Sequence, residues 1–154
     1  MFAHRILVPI DFSPYSDAAL ALATSLARDG DGTLVLAHVE VIPLSAAGGE
    51  FMYAIPEPPT EELLDKLEHV APPDSHVPVE RRLLAGDPAD AIIRLAETEN
   101  IDLIVMGTHG RGAVHHVLVG SVAERVVRAA PCPVLTVRDT GKVRCEVGDA
   151  AAVA

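Results

Sequence analysis

Residues 102–121, DLIVMGTHGRGAVHHVLVGS, are the stretch that decides the fold. The opening DLIVM, 102–106, is the kind of short apolar run that builds a strand buried on both faces of a sheet. A glycine-rich loop, 107–121, follows this predicted strand. Ser121 stands three residues before Glu124, which is the spacing of a capping box at the start of a helix. A buried strand that leads through glycines into a helix predicts an α/β protein.

The sequence on both sides of this stretch alternates between strand and helix patterns. Strands are predicted at 5–10, 33–41 and 134–138, the first of them buried on both faces, and a half-exposed strand near a sheet edge is predicted at 76–84. Helices are predicted from Ser13-Pro14 to the glycines at 30–32, over 61–70, from Asp87-Pro88 to Asn100, and from Ser121 to Ala130. Five strands alternating with four helices predict one parallel sheet with helices on both faces.

Two segments stand outside this alternation. Residues 43–60 carry several prolines and glycines and are predicted to form a long irregular loop. Residues 139–154 show no sustained period, so we expect a frayed, flexible tail. The sequence therefore predicts one domain over 1–138 and a C-terminal tail over 139–154.

Composition excludes several classes of function. The 154 residues carry 12 Lys+Arg and 22 Asp+Glu, which gives a formal net charge of −10. This acidic balance and the scarcity of aromatic rings argue against a nucleic-acid groove. No apolar run approaches the ~20 residues that cross a bilayer, and the chain begins as a strand pattern rather than a signal peptide. Two cysteines make no disulfide framework, so we expect a cytoplasmic protein. From the charge balance and the short apolar runs we expect neither a nucleic-acid nor a membrane partner.

The glycine-rich loop is a candidate anion site. Glycines let a backbone approach a ligand closely, and the helix beginning near Ser121 adds unpaired N–H groups and partial positive charge. Phosphate is the most common biological occupant of such a site. Gly107, Gly110 and Gly112 do not follow the dinucleotide-binding spacing, and the loop contains no Gly-Lys-Ser/Thr. A loop in which the glycines only make turns stays open as an alternative at this point.

Asp11 is a second candidate, because it lies at the carboxyl end of the first predicted strand. Open α/β sheets bind ligands at such strand ends, where the strand order reverses. If the first and fourth strands are neighbours there, Asp11 and Gly107 face one crevice, and Asp11 can accept hydrogen bonds from a ribose or a base. The alternative is a local cap around residues 12–14, which the sequence favours as long as the strand order is unknown.

Four separated blocks of the chain look like the universal stress protein family. They are VPIDFS at 8–13, AHV at 37–39, DLIVMGTHGRG at 102–112 and GSVAERVVRAAPCPVLTV at 120–137. The pattern Gly107-x2-Gly110-x9-Gly120-Ser121 is complete at that family's ATP-binding spacing. The resemblance covers residues 3–138 and leaves out the 43–60 loop and the tail.

The resemblance implies a Rossmann-like, adenine nucleotide alpha hydrolase-like fold whose open sheet has the order 3-2-1-4-5. It also implies that the chain binds ATP, with Mg²⁺ carried by the phosphates. Carried over by position, the adenosine end is lined by Pro9, Ile10, Asp11 and Val39, with Met106 bordering base and ribose. The loop is formed by Gly107, Thr108, His109, Gly110, Arg111 and Gly112, and the phosphates meet Gly120, Ser121 and Val122.

The resemblance further implies a homodimer that pairs the last strand, Val134–Val137, across a two-fold axis. The expected function is a nucleotide-responsive stress or regulatory factor, whose downstream partner the sequence does not indicate. Two alternatives remain open: an interaction module without bound nucleotide, and an enzyme that slowly hydrolyses ATP or transfers adenylate. Strong hydrolysis is not expected, because Arg111 is the sole basic residue of the loop and no Gly-x-Ser-x-Gly elbow occurs.

Histidines and cysteines supply no further site. His115 and His116 are adjacent, so their side chains diverge in a strand or a helix, and no His/Cys set has zinc-ligand spacing. We therefore expect no dedicated metal site. Cys132 stands between two prolines and is expected to be packed rather than reactive, and Cys145 in the tail has no neighbouring redox motif.

Overall fold

A computed structural model describes residues 3–41, 61–109 and 120–138. The predicted loop 43–60 and the tail 139–154 lie outside these residues. So do the middle of the glycine loop, with Gly110, Arg111 and Gly112, and the histidine pair at 115–116.

Five strands and four helices alternate along the described chain, as the sequence predicts. In chain order they are β1 Arg5–Pro9, α1 Pro14–Asp29, β2 Thr33–Glu40, α2 Glu61–Glu68, β3 Val79–Ala85, α3 Pro88–Thr98, β4 Leu103–Gly107, α4 Ser121–Ala129 and β5 Val134–Val137. All strand pairs are parallel and the sheet order is β3-β2-β1-β4-β5. The predicted fold class and strand order are confirmed.

The central strand β1 divides the apolar residues into two cores. Leu7 faces α3 and α4, whereas Ile6 and Val8 face α1 and α2, and all three side chains are fully buried. Successive strand residues point to opposite faces, so a strand covered on both sides must be apolar throughout. This explains why an unbroken apolar run predicted β1 correctly. None of the described helices is long and apolar enough to cross a membrane.

The N-terminal ends of α1 and α3 match their predicted caps. The Ser13 side chain accepts a hydrogen bond from the Ser16 backbone N–H, and proline follows at the first helical position. Asp87 does the same for the N–H of Asp90, with a distance of 3.0 Å from N to Oδ1. Each cap satisfies a backbone donor that the first helical turn leaves unpaired.

The capping box predicted at α4 is wrong. The N-cap is Gly120, and no side chain of the described residues caps this helix. The Gly120 carbonyl already accepts from the Glu124 N–H at 3.0 Å, so Ser121 is the first helical residue rather than the residue before it. The Glu124 carboxylate instead accepts a hydrogen bond from Arg128, 2.8 Å away and one turn later.

The edge position predicted for the third strand is confirmed, but its bounds shift from 76–84 to Val79–Ala85. Val77 is buried in a turn before the strand, where its N–H bonds to the Asp74 carbonyl at 3.4 Å. Every residue of β3 is half-buried, so the predicted alternation between buried and exposed positions is weak. The reason is that Glu80, on the face of α3 and α4, is partly covered through ion pairs with Arg5 and Arg82.

Candidate functional site

The sheet order places a crevice at the carboxyl ends of β1 and β4, where the connections leave in opposite directions. The chain after β1 enters α1 on one face of the sheet, and α4, which follows β4, packs on the other face. A cavity of about 730 Å³ opens at this point. Such a switch point is where open α/β sheets bind ligands.

Every predicted site residue that the structure describes lines this cavity. They are Pro9, Ile10, Asp11, Val39, Met106, Gly107, Thr108, His109, Gly120, Ser121 and Val122. The predicted loop residues Gly110, Arg111 and Gly112 fall outside the described residues. The fold thus brings residues from β1, β2, β4 and α4 to one cavity, and their contact with a ligand stays a prediction.

Gly107 is required where β4 ends, because the first turn of α1 lies directly against it. A Cβ at Gly107 would stand 2.7 Å from the Cβ of Tyr15 and 3.1 Å from its carbonyl carbon and oxygen. The distance of 2.7 Å is shorter than any real contact between two carbon atoms. Glycine at this position therefore allows α1 to pack against the end of β4, in addition to lining the cavity.

The two ends of the glycine loop are tied together by backbone hydrogen bonds. The Gly120 N–H donates to the Thr108 carbonyl at 2.6 Å, and the Thr108 N–H donates to the Val137 carbonyl at 2.9 Å. A Cβ at Gly120 would lie 3.1 Å from that Thr108 oxygen. The rings of His109 and Tyr15 are 5.5 Å apart. The loop therefore leaves and re-enters the described structure at one fixed place.

The N-terminus of α4 is prepared for an anion. The first N–H groups of a helix need acceptors, and here neither Gly120 nor another described residue supplies a side-chain cap. This contrasts with α1 and α3, whose caps are made by Ser13 and Asp87. The first N–H donors of α4 and the positive end of its helix dipole both favour a negatively charged oxygen at Ser121.

Asp11 makes the local cap that the sequence offered as its alternative. Its Oδ1 accepts hydrogen bonds from the Ser13 backbone N–H, at 3.0 Å, and from the Ser13 hydroxyl. Between them, Phe12 has a φ of 61°, a left-handed conformation that costs energy in a residue other than glycine. The cap occupies Oδ1, and Asp11 also lines the cavity. A hydrogen bond from its carboxylate to a ribose stays a prediction.

Sequence reasoning missed most of the contribution of β2. Ala37, His38 and Glu40 all line the cavity, and Val39 was the one residue of this strand that was predicted. The His38 ring packs 4.6 Å from that of Phe12, and its Nδ1 lies 2.6 Å from the Ile10 carbonyl oxygen. The missing signal is the strand order, since adjacency of β2 to β1 brings its carboxyl end to the crevice.

Residues of α2 and α3 were missed for a related reason. Leu63 and Ile92 belong to apolar helix faces, which predict packing against the sheet, and both also line the cavity. Helical periodicity identifies the inward face of a helix but not which inward residues border an opening.

The cavity has an apolar part and a polar part. Val39, Ile92 and Met106 offer a flat ligand an apolar surface, whereas Thr108 brings a hydroxyl and Ser121 brings a hydroxyl and a backbone N–H. The described lining residues include no Lys or Arg, and the first N–H groups of α4 contribute positive potential at the cavity. Within 3–41, 61–109 and 120–138, no group of three or more His, Cys, Asp or Glu is placed to hold a metal ion.

Fold and cavity together define a class of protein: a doubly wound α/β domain with its ligand cavity at the switch point of the sheet. Residues 3–138 match the model of the universal stress protein family. The chain belongs to this family, which confirms the resemblance seen in its sequence.

Individual relatives agree with this assignment. A universal stress protein from Methanocaldococcus jannaschii is 36% identical over 143 residues, which span 90% of this chain and 84% of that protein. The solved structure of universal stress protein UspA from Lactobacillus plantarum has a TM-score of 0.69 at 29% identity, covering 90% of this chain and 99% of that one. A universal stress protein solved in complex with cAMP shares the fold, with a TM-score of 0.64 at 23% identity over 90% of this chain and 98% of that one.

Proposed function

We propose that this chain is an ATP-binding universal stress protein that acts as a nucleotide-responsive stress or regulatory factor. The observation that carries the proposal is the single cavity lined by every described residue of the predicted nucleotide site. That a family member has been solved with cAMP supports an adenine nucleotide as the ligand. The two-cysteine composition supports a cytoplasmic location.

The proposed pose follows from the two parts of the cavity. The phosphates lie at Gly120 and Ser121, where the N-terminus of α4, with no side-chain cap from the described residues, offers N–H donors. The adenosine extends over Met106 toward Val39, along the apolar part. Binding then changes a surface that a partner protein recognises.

Mg²⁺ fits this arrangement as an ion held mainly by the phosphates. It prefers octahedral oxygen ligands and keeps several waters, so it needs few protein ligands. The hydroxyl of Ser121, which lines the phosphate end of the cavity, would be one such ligand. The ion supplies charge neutralisation for the triphosphate.

The net charge of −10 does not oppose this proposal. Surface carboxylates farther than ~8 Å are largely screened at physiological salt, whereas the donors of α4 act at contact distance. The negative charge disfavours a polyanion such as DNA and still permits one nucleotide.

The direct test is to denature freshly purified protein and identify any released nucleotide by mass spectrometry. In parallel, Mg-ATP is expected to raise the melting temperature, because a ligand at 100 times its Kd stabilises the folded state by about 2.7 kcal/mol. Failure to bind ATP, ADP and AMP at millimolar concentration would contradict the proposal.

We also propose a homodimer formed by β5. This strand is the outer edge of the sheet, and Leu135 on it is 39% exposed. An uncovered strand edge offers a row of backbone donors and acceptors to a second copy.

A further inference from the structure

His38, on β2, contacts the residues on both sides of Asp11. Its Nδ1 lies 2.6 Å from the Ile10 carbonyl oxygen, and its ring centroid is 4.6 Å from that of Phe12. Asp11 stands between these two residues and lines the cavity. One side chain from the neighbouring strand therefore holds the turn that presents the Asp11 carboxylate.

The contact with Ile10 requires a proton on Nδ1 of His38. A carbonyl oxygen only accepts hydrogen bonds, so the ring nitrogen must donate. The Ile10 N–H donates in turn to the Ala37 carbonyl at 2.8 Å. Both backbone groups of Ile10 are thus tied to β2, and the chain leaves the end of β1 from a fixed place.

The turn after Ile10 contains a strained residue. Phe12 has a φ of 61°, in the left-handed region that favours glycine. Such a conformation persists where surrounding contacts determine it. One of these contacts lies inside the turn, where the Asp11 carboxylate accepts from the Ser13 N–H at 3.0 Å. Another comes from β2, where the His38 ring packs against Phe12.

The orientation of His38 indicates that it acts through Asp11 and not on the adenine. Strand residues two apart share a face, so His38 points with Leu36 toward α1 and α2, whereas Val39 points toward α3 and α4. The proposed place of the adenosine, over Met106 toward Val39, is on the other side of the strand from His38.

We propose that His38 is a positioning residue for nucleotide binding, which holds the Asp11 carboxylate where the ribose hydroxyls of the ligand donate hydrogen bonds to it. The inference rests on the proposed function, because it concerns the same cavity and the same nucleotide. It assigns a role to a side chain of β2 that reaches the ligand only through the turn after β1.

The first test is a double-mutant cycle of His38→Leu and Asp11→Asn, with the affinity of the full chain for Mg-ATP measured by calorimetry. Leucine removes both the donor and the ring. Asparagine keeps an oxygen for the Ser13 cap and replaces the second oxygen with an amide nitrogen, which donates instead of accepting. His38→Leu is expected to weaken ATP binding about fivefold or more, because the displaced carboxylate loses its hydrogen bonds to the ribose. In the Asp11→Asn protein the same substitution is expected to change the affinity by less than about twofold.

The second readout is the preference for ATP over 2′,3′-dideoxy-ATP, which lacks both ribose hydroxyls. Wild-type protein is expected to bind ATP about fivefold or more tightly, since a site built to accept from a hydroxyl disfavours an analogue without it. In His38→Leu the preference is expected to fall to about twofold or less, because Asp11 is no longer held in place. A purely structural role of His38 would lower the melting temperature and leave this preference unchanged.

Two further variants separate the two contacts of His38. His38→Asn keeps an N–H donor near the position of Nδ1 without the ring, and His38→Phe keeps a ring without the donor. His38→Asn is expected to recover part of the preference that His38→Leu loses, and more of it than His38→Phe, because the donor acts on the carbonyl next to Asp11. No recovery in a folded His38→Asn protein would contradict the role given to Nδ1.

Val77→Ala is the matched control, because it removes apolar contacts from the core on the same face of the sheet at a residue that does not line the cavity. It is expected to lower the melting temperature and to keep the wild-type preference.

Three results overturn the role of His38 and leave the proposed function standing. They are equal binding of ATP and 2′,3′-dideoxy-ATP by the wild type, an unchanged preference in folded His38→Leu, and equal weakening by His38→Leu with and without Asp11→Asn. Binding of neither nucleotide by the wild type overturns the proposed function itself.

Discussion

At the scale of single residues, two glycines decide how closely the walls of the cavity pack. Gly107 is tight against Tyr15 and Gly120 against the Thr108 carbonyl, so neither accepts a side chain without movement. The two contacts differ in severity, at 2.7 and 3.1 Å from the added Cβ. We therefore expect one substitution to affect mainly folding and the other mainly binding.

Gly107→Ala is expected to destabilise the protein by about 1–3 kcal/mol, because α1 must shift away from β4 to admit the methyl group. Urea unfolding measures this loss. Gly86→Ala is the control, since its φ of 122° strains alanine but no atom lies within 4 Å of the added Cβ. A Gly107→Ala protein as stable as the wild type would contradict the packing described here.

Gly120→Ala is expected to weaken ATP binding by about tenfold or more while costing less stability than Gly107→Ala. Its methyl group presses on the Thr108 carbonyl and displaces the first N–H donors of α4 from the phosphates. Calorimetric titration measures the affinity, with Gly86→Ala again as the control. Unchanged affinity in a folded Gly120→Ala protein would place the phosphates elsewhere.

At the scale of elements, α3 and α4 are joined at their N-terminal halves by charged groups. Arg125 of α4 contacts the N-cap Asp87 at 2.9 Å and Asp90 at 2.7 Å. Pro88 and Ser121 of the same two helices line the cavity. The ion pairs therefore help to fix the position of α4 relative to α3, and both helices line the cavity. Because these ion pairs are exposed to solvent, they add little to the free energy of unfolding.

Asp87→Ala is expected to cost about 1 kcal/mol, since α3 loses its N-cap acceptor, whereas Asp87→Asn keeps the acceptor and costs less. Urea unfolding of both variants at neutral pH measures the difference. Equal stability of Asp87→Ala and the wild type would show that the cap contributes nothing.

The same carboxylate makes α3 sensitive to acid. The Asp90 backbone N–H, and next the Arg125 guanidinium, hold the pKa of Asp87 below its ordinary value. Its contribution is therefore present above the ordinary pKa of an aspartate, about 4, and is lost as the pH falls through the lowered value. Wild type and Asp87→Asn are expected to converge in stability below about pH 4, as urea unfolding across pH can check. A constant difference would contradict this linkage.

Elements also show how far sequence reasoning carries. The strands β1, β2 and β4 are predictable to within one residue at their ends, because burial on both faces makes the middle of each strand a run of apolar residues. The N-terminus of α4 is not, because Ser121 and Glu124 satisfy a capping pattern that the chain does not use. What decides it is a tertiary bond, from the Gly120 N–H to the Thr108 carbonyl.

The residues that line the cavity also fall into two groups, those that the sequence predicts and those that it does not. Asp11, Met106 and the glycines stand next to strand ends in the sequence, and a family motif marks them. Glu40 and Leu63 carry no such mark, because they reach the cavity through strand order and helix docking. Only the three-dimensional arrangement reveals them.

At the scale of the whole molecule, the sheet has one edge at β3 and the other at β5. The charged side chains of β3, with Arg82 and Glu80 paired, suit an edge that faces water. β5 instead has Leu135 and Thr136 exposed, with no comparable charges. This difference favours β5 as the contact between two copies.

In the proposed homodimer, Thr136→Pro is expected to abolish the contact through β5 and leave a monomer. In β5 the carbonyls of Pro133 and Val137 face β4, so by alternation the N–H of Thr136 faces outward. Proline there removes an outer donor and leaves the inner ladder intact. Light scattering after size exclusion measures the mass, and Thr136→Ala, which keeps the N–H, is expected to remain a dimer. A dimeric Thr136→Pro protein would place the interface elsewhere.

The central position of β1 has a consequence for synthesis of the chain. β1 is made first, yet it pairs with β4, and the Asp102 carboxylate accepts hydrogen bonds from the backbone N–H groups of His4 and Arg5. One edge of β1, with its fully buried Ile6, Leu7 and Val8, therefore stays unpaired on the ribosome until residue 103 and beyond have emerged. Parallel pairing between strands that are distant in sequence is slow, and until it forms, the unpaired strand edge is prone to aggregation. We expect nascent chains that stop before β4 to depend on chaperones, and chains that include it to be released from them.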